Sequence, residues 1–194
     1  MNQDSSFMDK LRNTVQYFRS VWFPTGGEDQ PFWFRARQEK YRETIQNLCH
    51  ECLSPILEFQ SKSASDLLVD IQAADWSLEE QLILSVMFDQ MPRNALAINY
   101  GPYAHAEPRR VDLAIDDSFS LQFAQSIRDI VDQQTIPDVR VVCFYSLVFR
   151  HSDRFDDARS VLETLSKKSE QGGLPLLAQK FWMETNKRQD ALGT

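Results

Sequence analysis

Between Val139 and Phe149 nine of eleven positions are apolar, namely Val139, Val141, Val142, Cys143, Phe144, Tyr145, Leu147, Val148 and Phe149, interrupted only by Arg140 and Ser146. A helix with so little polar surface has to be enclosed by other elements on every side. The alternative is a strand nucleated by the β-branched residues Val139, Val141 and Val142, but no other segment shows the alternation that a partner strand would need. The rest of the chain repeats its apolar residues at spacings of three and four. A central helix inside an all-α bundle is therefore the expected architecture.

The surrounding helices can be placed one by one. Phe7, Leu11, Val15, Phe18 and Val21 form one face of a helix that stops at Pro24-Thr25-Gly26-Gly27. From Phe32 to about Glu58, Tyr41, Ile45, Leu48 and Cys52 share a stripe, which reads as one helix bent near Pro55, a residue with no amide to donate. A short amphipathic helix follows over 64–74. Ser77 and Glu80 have the spacing of a capping box and lead directly into Leu78, Leu82 and Val86, so a helix is expected over 78–90. Pro92 suits the first turn of another helix. Gly101-Pro102 and Pro108 make 99–117 a long irregular connection. Helices over 118–132, 138–150, 154–169 and 174–185 complete a single domain, 1–194, of antiparallel helix pairs.

At 194 residues the chain is long enough for one sizeable core and short for two. A net charge of −7 argues against binding to a phosphate backbone, so no nucleic-acid partner is expected. No apolar run reaches the ~18–20 residues of a membrane span, and the start MNQDSSFMDK lacks a secretory profile, so a cytoplasmic protein with no membrane partner is expected. Three cysteines, Cys49, Cys52 and Cys143, point to reduced thiols rather than a disulfide framework.

Motifs for nucleotide, metal and nucleophile chemistry are missing: there is no phosphate-cradling glycine loop, no HExxH and no GxSxG elbow. Cys49-His50-Glu51-Cys52 is metal-like, yet no second pair completes a ligand set, and at helical spacing both cysteines can be small apolar members of a stripe. Neither metal nor cofactor is expected.

A polar constellation offers more. The stripe Leu78, Leu82, Val86 continues onto Asp89, which places a carboxylate on a buried face beside Gln90, Arg93 and Asn94. A buried charge requires a partner. The stripe of Phe144 and Val148 leads in the same way to His151, with Ser152 and Asp153 after it. If the two helices are neighbours, Asp89, Arg93 and His151 converge. Two readings stay open: Asp89 pairs Arg93 and caps the next helix while Ser152 or Asp153 caps another, or these residues line a functional pocket.

The string Leu84-Ser85-Val86-Met87-Phe88-Asp89-Gln90-Met91-Pro92-Arg93-Asn94 resembles the LLDQFPRN signature of the family called domain of unknown function 924. Phe144-Tyr145 followed by His151-Ser152-Asp153 resembles that family's aromatic pair leading to His-Ser-Glu. Val21-Trp22-Phe23 and Phe32-Trp33-Phe34 match its two Trp-Phe sites, and Tyr41-Arg42-Glu43-Thr44-Ile45 its aromatic-Asp-x-x-Ile element, with Arg42 in the place of the Asp. The resemblance spans nearly the whole chain and implies a tetratricopeptide-repeat-like helical fold. The family's Phe-Gly-Arg-Phe-Pro-His-Arg-Asn-x-x-Leu-Gly ending is kept only at Phe181, Arg188 and Leu192-Gly193. Loss of its Pro-His pair implies a divergent relative with its own task.

Two functional classes follow. In the first, a cofactor-free enzyme or binder holds a small apolar organic molecule in an interhelical pocket lined by Trp33, Phe88, Tyr100, Tyr103, Tyr145 and Trp182, with Gln90 and Asn94 also touching it. Asp89, Arg93 and His151 would be the catalytic candidates for an isomerisation or ring closure that rests on shape, proximity and hydrogen bonds. In the second, helical hairpins offer a groove to a peptide or protein partner.

Overall fold

The computed structural model describes residues 3–26, 29–33, 38–61, 63–104, 115–133, 138–167 and 174–193. Among them lie eight α-helices and no strand: α1 (Gln3–Trp22), α2 (Arg42–Gln60), α3 (Ala64–Ala73), α4 (Leu78–Ala97), α5 (Ser118–Gln133), α6 (Val139–His151), α7 (Phe155–Lys167) and α8 (Leu176–Leu192). Short 3₁₀ turns at Glu39–Tyr41 and Gly101–Tyr103 flank α2 and follow α4.

The all-helical expectation holds, but two helices are enclosed rather than one. Every residue of α6 from Arg140 to Phe149 is buried, as its composition requires. So is every residue of α4 from Gln81 to Pro92, including Ser85, Asp89 and Gln90. The two pack against each other, α4 further touching α1, α2 and α5, and α6 touching α5, α7 and α8. One contiguous apolar cluster runs from Met8 to Phe181, with Trp22, Phe23, Trp33, Phe144 and Phe181 joined through ring contacts of 4.8–5.9 Å.

Pro92 does not open a new helix. α4 passes through it to Ala97, because Pro92 forfeits only the bond to the Phe88 carbonyl while packing on all sides holds the turn in place. The helix expected from Phe32 begins at Arg42 instead, after Trp33 has closed a turn onto Gln30. α8 runs seven residues past the expected end at 185, to Leu192, where Gly193 in the left-handed conformation caps it. Its last two turns carry no apolar stripe, so periodicity could not reveal them. Residues 105–114 of the long connection, Phe34, Pro137 and Gly172-Gly173 fall outside the described residues.

The start of α4 is fixed as the sequence implies. The Glu80 amide donates to Ser77 Oγ at 3.2 Å and the Ser77 amide to Glu80 Oε2 at 2.8 Å. Arg12 of α1 then bridges to this point, its Nη2 donating to the Ala74 carbonyl at 2.9 Å and its Nε 3.2 Å from Glu80. α4 is thus held at its amino end, and the residues two to four turns later have a fixed direction into the core.

Candidate functional site

Asp89 is fully buried in the middle of α4, and three side chains converge on its carboxylate. Gln90 Nε2 donates to Oδ2 at 2.6 Å, Arg93 Nε to Oδ1 at 3.1 Å, and His151 Nδ1 lies 2.9 Å from both oxygens. Asp89, Arg93 and His151 therefore do meet, because α4 and α6 are packed neighbours and His151 ends α6. Asn94 donates to the Gln90 carbonyl at 2.7 Å and so braces the same turn without touching Asp89.

Burial on its own would raise the Asp89 carboxyl, but His151, which is charged in the acid range where the carboxyl titrates, and Arg93, together with the hydrogen bonds of both, overcome it and hold the group well below the usual carboxylate range. An ionised carboxylate only accepts, so Nδ1 of His151 must carry the proton. Burial lowers the imidazole below its ordinary value, with Arg93 and Arg150 acting in the same direction against Asp89. The ring is then neutral at pH 7, and its basic nitrogen is Nε2. That atom engages none of the described residues, and the side chain is 14% exposed.

Three residues that sequence reasoning did not place here complete the cluster. Asp117 accepts Arg93 Nη2 at 2.6 Å through both oxygens, so Arg93 is clamped between two carboxylates that raise it against the effect of burial. Burial and Asp89 push Asp117 up, against the pull of Arg93. Asp117 directly precedes α5, where an Asp reads as a cap, and nothing in its local sequence marks it as a partner of Arg93. Arg150 adjoins His151 on α6. Arg188 of α8 donates to Asp153 Oδ1 at 3.1 Å, in the turn that follows His151. Arg188 and Asp153 lie 35 positions apart, so no local sequence signal marks their contact.

The expected aromatic lining does not assemble in one place. Trp33, Phe88 and Tyr145 are core side chains rather than pocket walls: Trp33 donates to the Trp22 carbonyl at 2.9 Å, Tyr145 to the Ala124 carbonyl at 2.6 Å, and Phe88 meets Phe119 edge-on at 4.8 Å. Large rings with a satisfied polar tip gain more from enclosure than from lining a cleft. Tyr100 and Tyr103 are half-buried at the far end of α4, Tyr100 reaching His50 of α2 at 3.5 Å, and Trp182 is half-buried on α8. Cys49 and Cys52 are free and buried, and burial pushes both thiols up to about 12, so they pack as small apolar groups.

Fold and site together define an all-helical bundle with a buried Asp–His dyad at the contact of its two innermost helices. No protein-family model matches the sequence, and no curated protein or solved structure gives a significant match.

Proposed function

We propose that the protein is a cofactor-independent enzyme of the isomerase or cyclase type acting on a small organic molecule, with His151 as the group that moves the proton. The observation that supports this reading is the dyad itself. A desolvated carboxylate fixes the tautomer of a neutral imidazole and leaves Nε2 unengaged by any described residue, which is the arrangement a general base requires. In such a step Nε2 takes a proton from a carbon beside a carbonyl, and the C–H electron pair moves into the enolate. Return of the proton at another carbon gives an isomer; alternatively the enolate carbon attacks a second carbonyl carbon of the same molecule, closing a ring as that C=O π pair passes to its oxygen, which then takes the proton back from Nε2. No electrons leave the substrate. Asp89 stabilises the transient imidazolium, and Arg93, held by Asp117, keeps Asp89 in place.

The resemblance to the domain of unknown function 924 family belongs to the same proposal, since its two strongest strings supply Asp89, Gln90, Arg93 and Asn94 on one side and His151 on the other. The test is untargeted mass spectrometry of a small-molecule extract incubated with the protein in D₂O. A compound that gains deuterium or changes retention with the wild type, and not with His151→Ala, supports general-base chemistry. Identical profiles for both proteins would sink it.

A second reading, a tetratricopeptide-like module for a peptide or protein, draws on α8. That helix carries Leu176, Met183 and Leu192, three of the four large apolar side chains most exposed among the described residues. Met183→Lys should then abolish binding of any partner without changing the fold, and deuterium exchange would be absent.

A further inference from the structure

Among the described residues the cations around the dyad are paired, with one exception. Arg93 has Asp89 and Asp117, Arg188 has Asp153, and Arg154 has Asp157. Arg150 forms no hydrogen bond or ion pair with any described residue, although it is half-buried on the last turn of α6, beside His151. The charges that reach it are Arg188, which opposes its own, then Asp89, Glu184 and Arg93. Burial and Arg188 together weaken its hold on its proton.

The placement follows from how α8 meets α6. Phe181 packs against Phe144 at 5.3 Å. Two turns further along α8, Arg188 arrives at the turn after His151 and bonds Asp153 at 3.1 Å. Two guanidinium groups are thereby gathered at the end of the helix that presents Nε2, and one has all five of its N–H donors unused by the described residues. The carboxy-terminal dipole of α6 favours a cation at this point but does not fill those donors. A partly desolvated, unpaired guanidinium next to another is unfavourable until an anion joins it.

We propose that Arg150 and Arg188 form an oxyanion-binding site at the carboxy-terminal end of α6, adjoining the Asp89–His151 dyad, and that the substrate carries a carboxylate or phosphate group held there. This rests on the reading of His151 as the proton-moving group and narrows its substrate from an organic molecule in general to an organic anion. A planar guanidinium pair suits either oxyanion. Arg150 precedes His151 on the last turn of α6, so an anion held by its guanidinium is bound within one turn of the dyad.

The experiment titrates the folded protein with sodium benzoate and, separately, with sodium phosphate, each against sodium chloride at equal ionic strength. It follows the melting temperature and the His151 imidazole by NMR. Asp89 and Arg93 from α4, Arg150 from α6 and Arg188 from α8 set the charge around that ring. The expected result is a saturable rise in melting temperature with benzoate, phosphate or both, and a rise in the His151 titration midpoint as the anion offsets Arg150. A response to benzoate alone assigns a carboxylate, and one to phosphate alone a phosphate ester. Arg150→Met should abolish the saturable response and raise the His151 midpoint without any anion. Should that variant not fold, Arg188→Gln should weaken the response about tenfold. A response equal to that of chloride, or undiminished in the variants, overturns the site. Anion binding without deuterium exchange leaves the site standing and removes the proton-transfer reading. Exchange on an uncharged compound, unaffected by Arg150→Met, does the reverse.

Discussion

Replacing Asp89 with alanine removes the acceptor of three donors at once, and the structure indicates what each loses. Gln90 Nε2 and His151 Nδ1 are left without their carboxylate, and Arg93 Nε loses one contact while Nη2 keeps Asp117 at 2.6 Å. A buried donor left unsatisfied costs about 1–3 kcal/mol, and partial access to water around His151 places these near the low end. The sum is about 3 kcal/mol, at the bottom of the range of about 3–5 kcal/mol for breaking a buried pair, because Arg93 is not abandoned. For a chain of this size that corresponds to a fall of about 6–12 °C in melting temperature. Urea unfolding should give the same loss with an unchanged dependence on denaturant. The pH dependence supplies a check of sign. The folded-state carboxyl lies below its unfolded value of about 3.9, so its contribution is complete above that pH and is lost as the solution is acidified through the lowered folded value. The difference between wild type and Asp89→Asn should therefore narrow only below about pH 4. A loss under about 1 kcal/mol for Asp89→Ala would refute the reasoning, since it would mean the carboxylate is solvated.

Other consequences are as direct. Asp89→Ala combined with Asp117→Ala should destabilise by more than the two single changes together, because only the double variant strips Arg93 of both carboxylates; additive losses in a double-mutant cycle would contradict the clamp. His151 is lowered in the folded state, so the unfolded chain binds its proton first and stability should fall as pH drops below about 6.5. His151→Ala should flatten that slope, as measured by denaturation at a series of pH values, and should itself cost no more than about 1–2 kcal/mol, because Asp89 keeps Arg93 and Gln90. Cys49, Cys52 and Cys143 should resist a thiol reagent in the native protein and all react once it is unfolded; rapid native labelling of any of the three would show that its burial is not maintained in solution.

Much of the helical order was legible because it rests on local signals: the capping box at Ser77 and Glu80, the stripes in α1 and α5, and the wholly apolar α6. The meeting of Asp89 with His151 was legible for a related reason, since each continues the buried stripe of its own helix. What stayed hidden depended on partners distant in sequence. Nothing in the residues around Asp117 distinguishes a cap from a clamp on Arg93, twenty-four positions away. Trp33, Phe88 and Tyr145 looked like pocket walls because composition cannot tell a ring that faces a cleft from one sealed by its neighbours. Pro92 misled because the usual cost of proline in a helix is a local quantity, and here the surrounding packing outweighs it.

The contact between α1 and α4 bears on how the molecule comes apart. In a stacked repeat each helix pair touches only the next, and an end can fray while the remainder persists. Here α4 is flanked by α1 and α2 from the amino-terminal part and by α5 and α6 from the carboxy-terminal part, with Arg12 fastening α1 to its first turn. No cut along the chain yields a fragment that keeps α4 covered on every side. The amide hydrogens of α4 and α6 should therefore exchange with solvent through one shared global opening rather than in a sequence from either terminus.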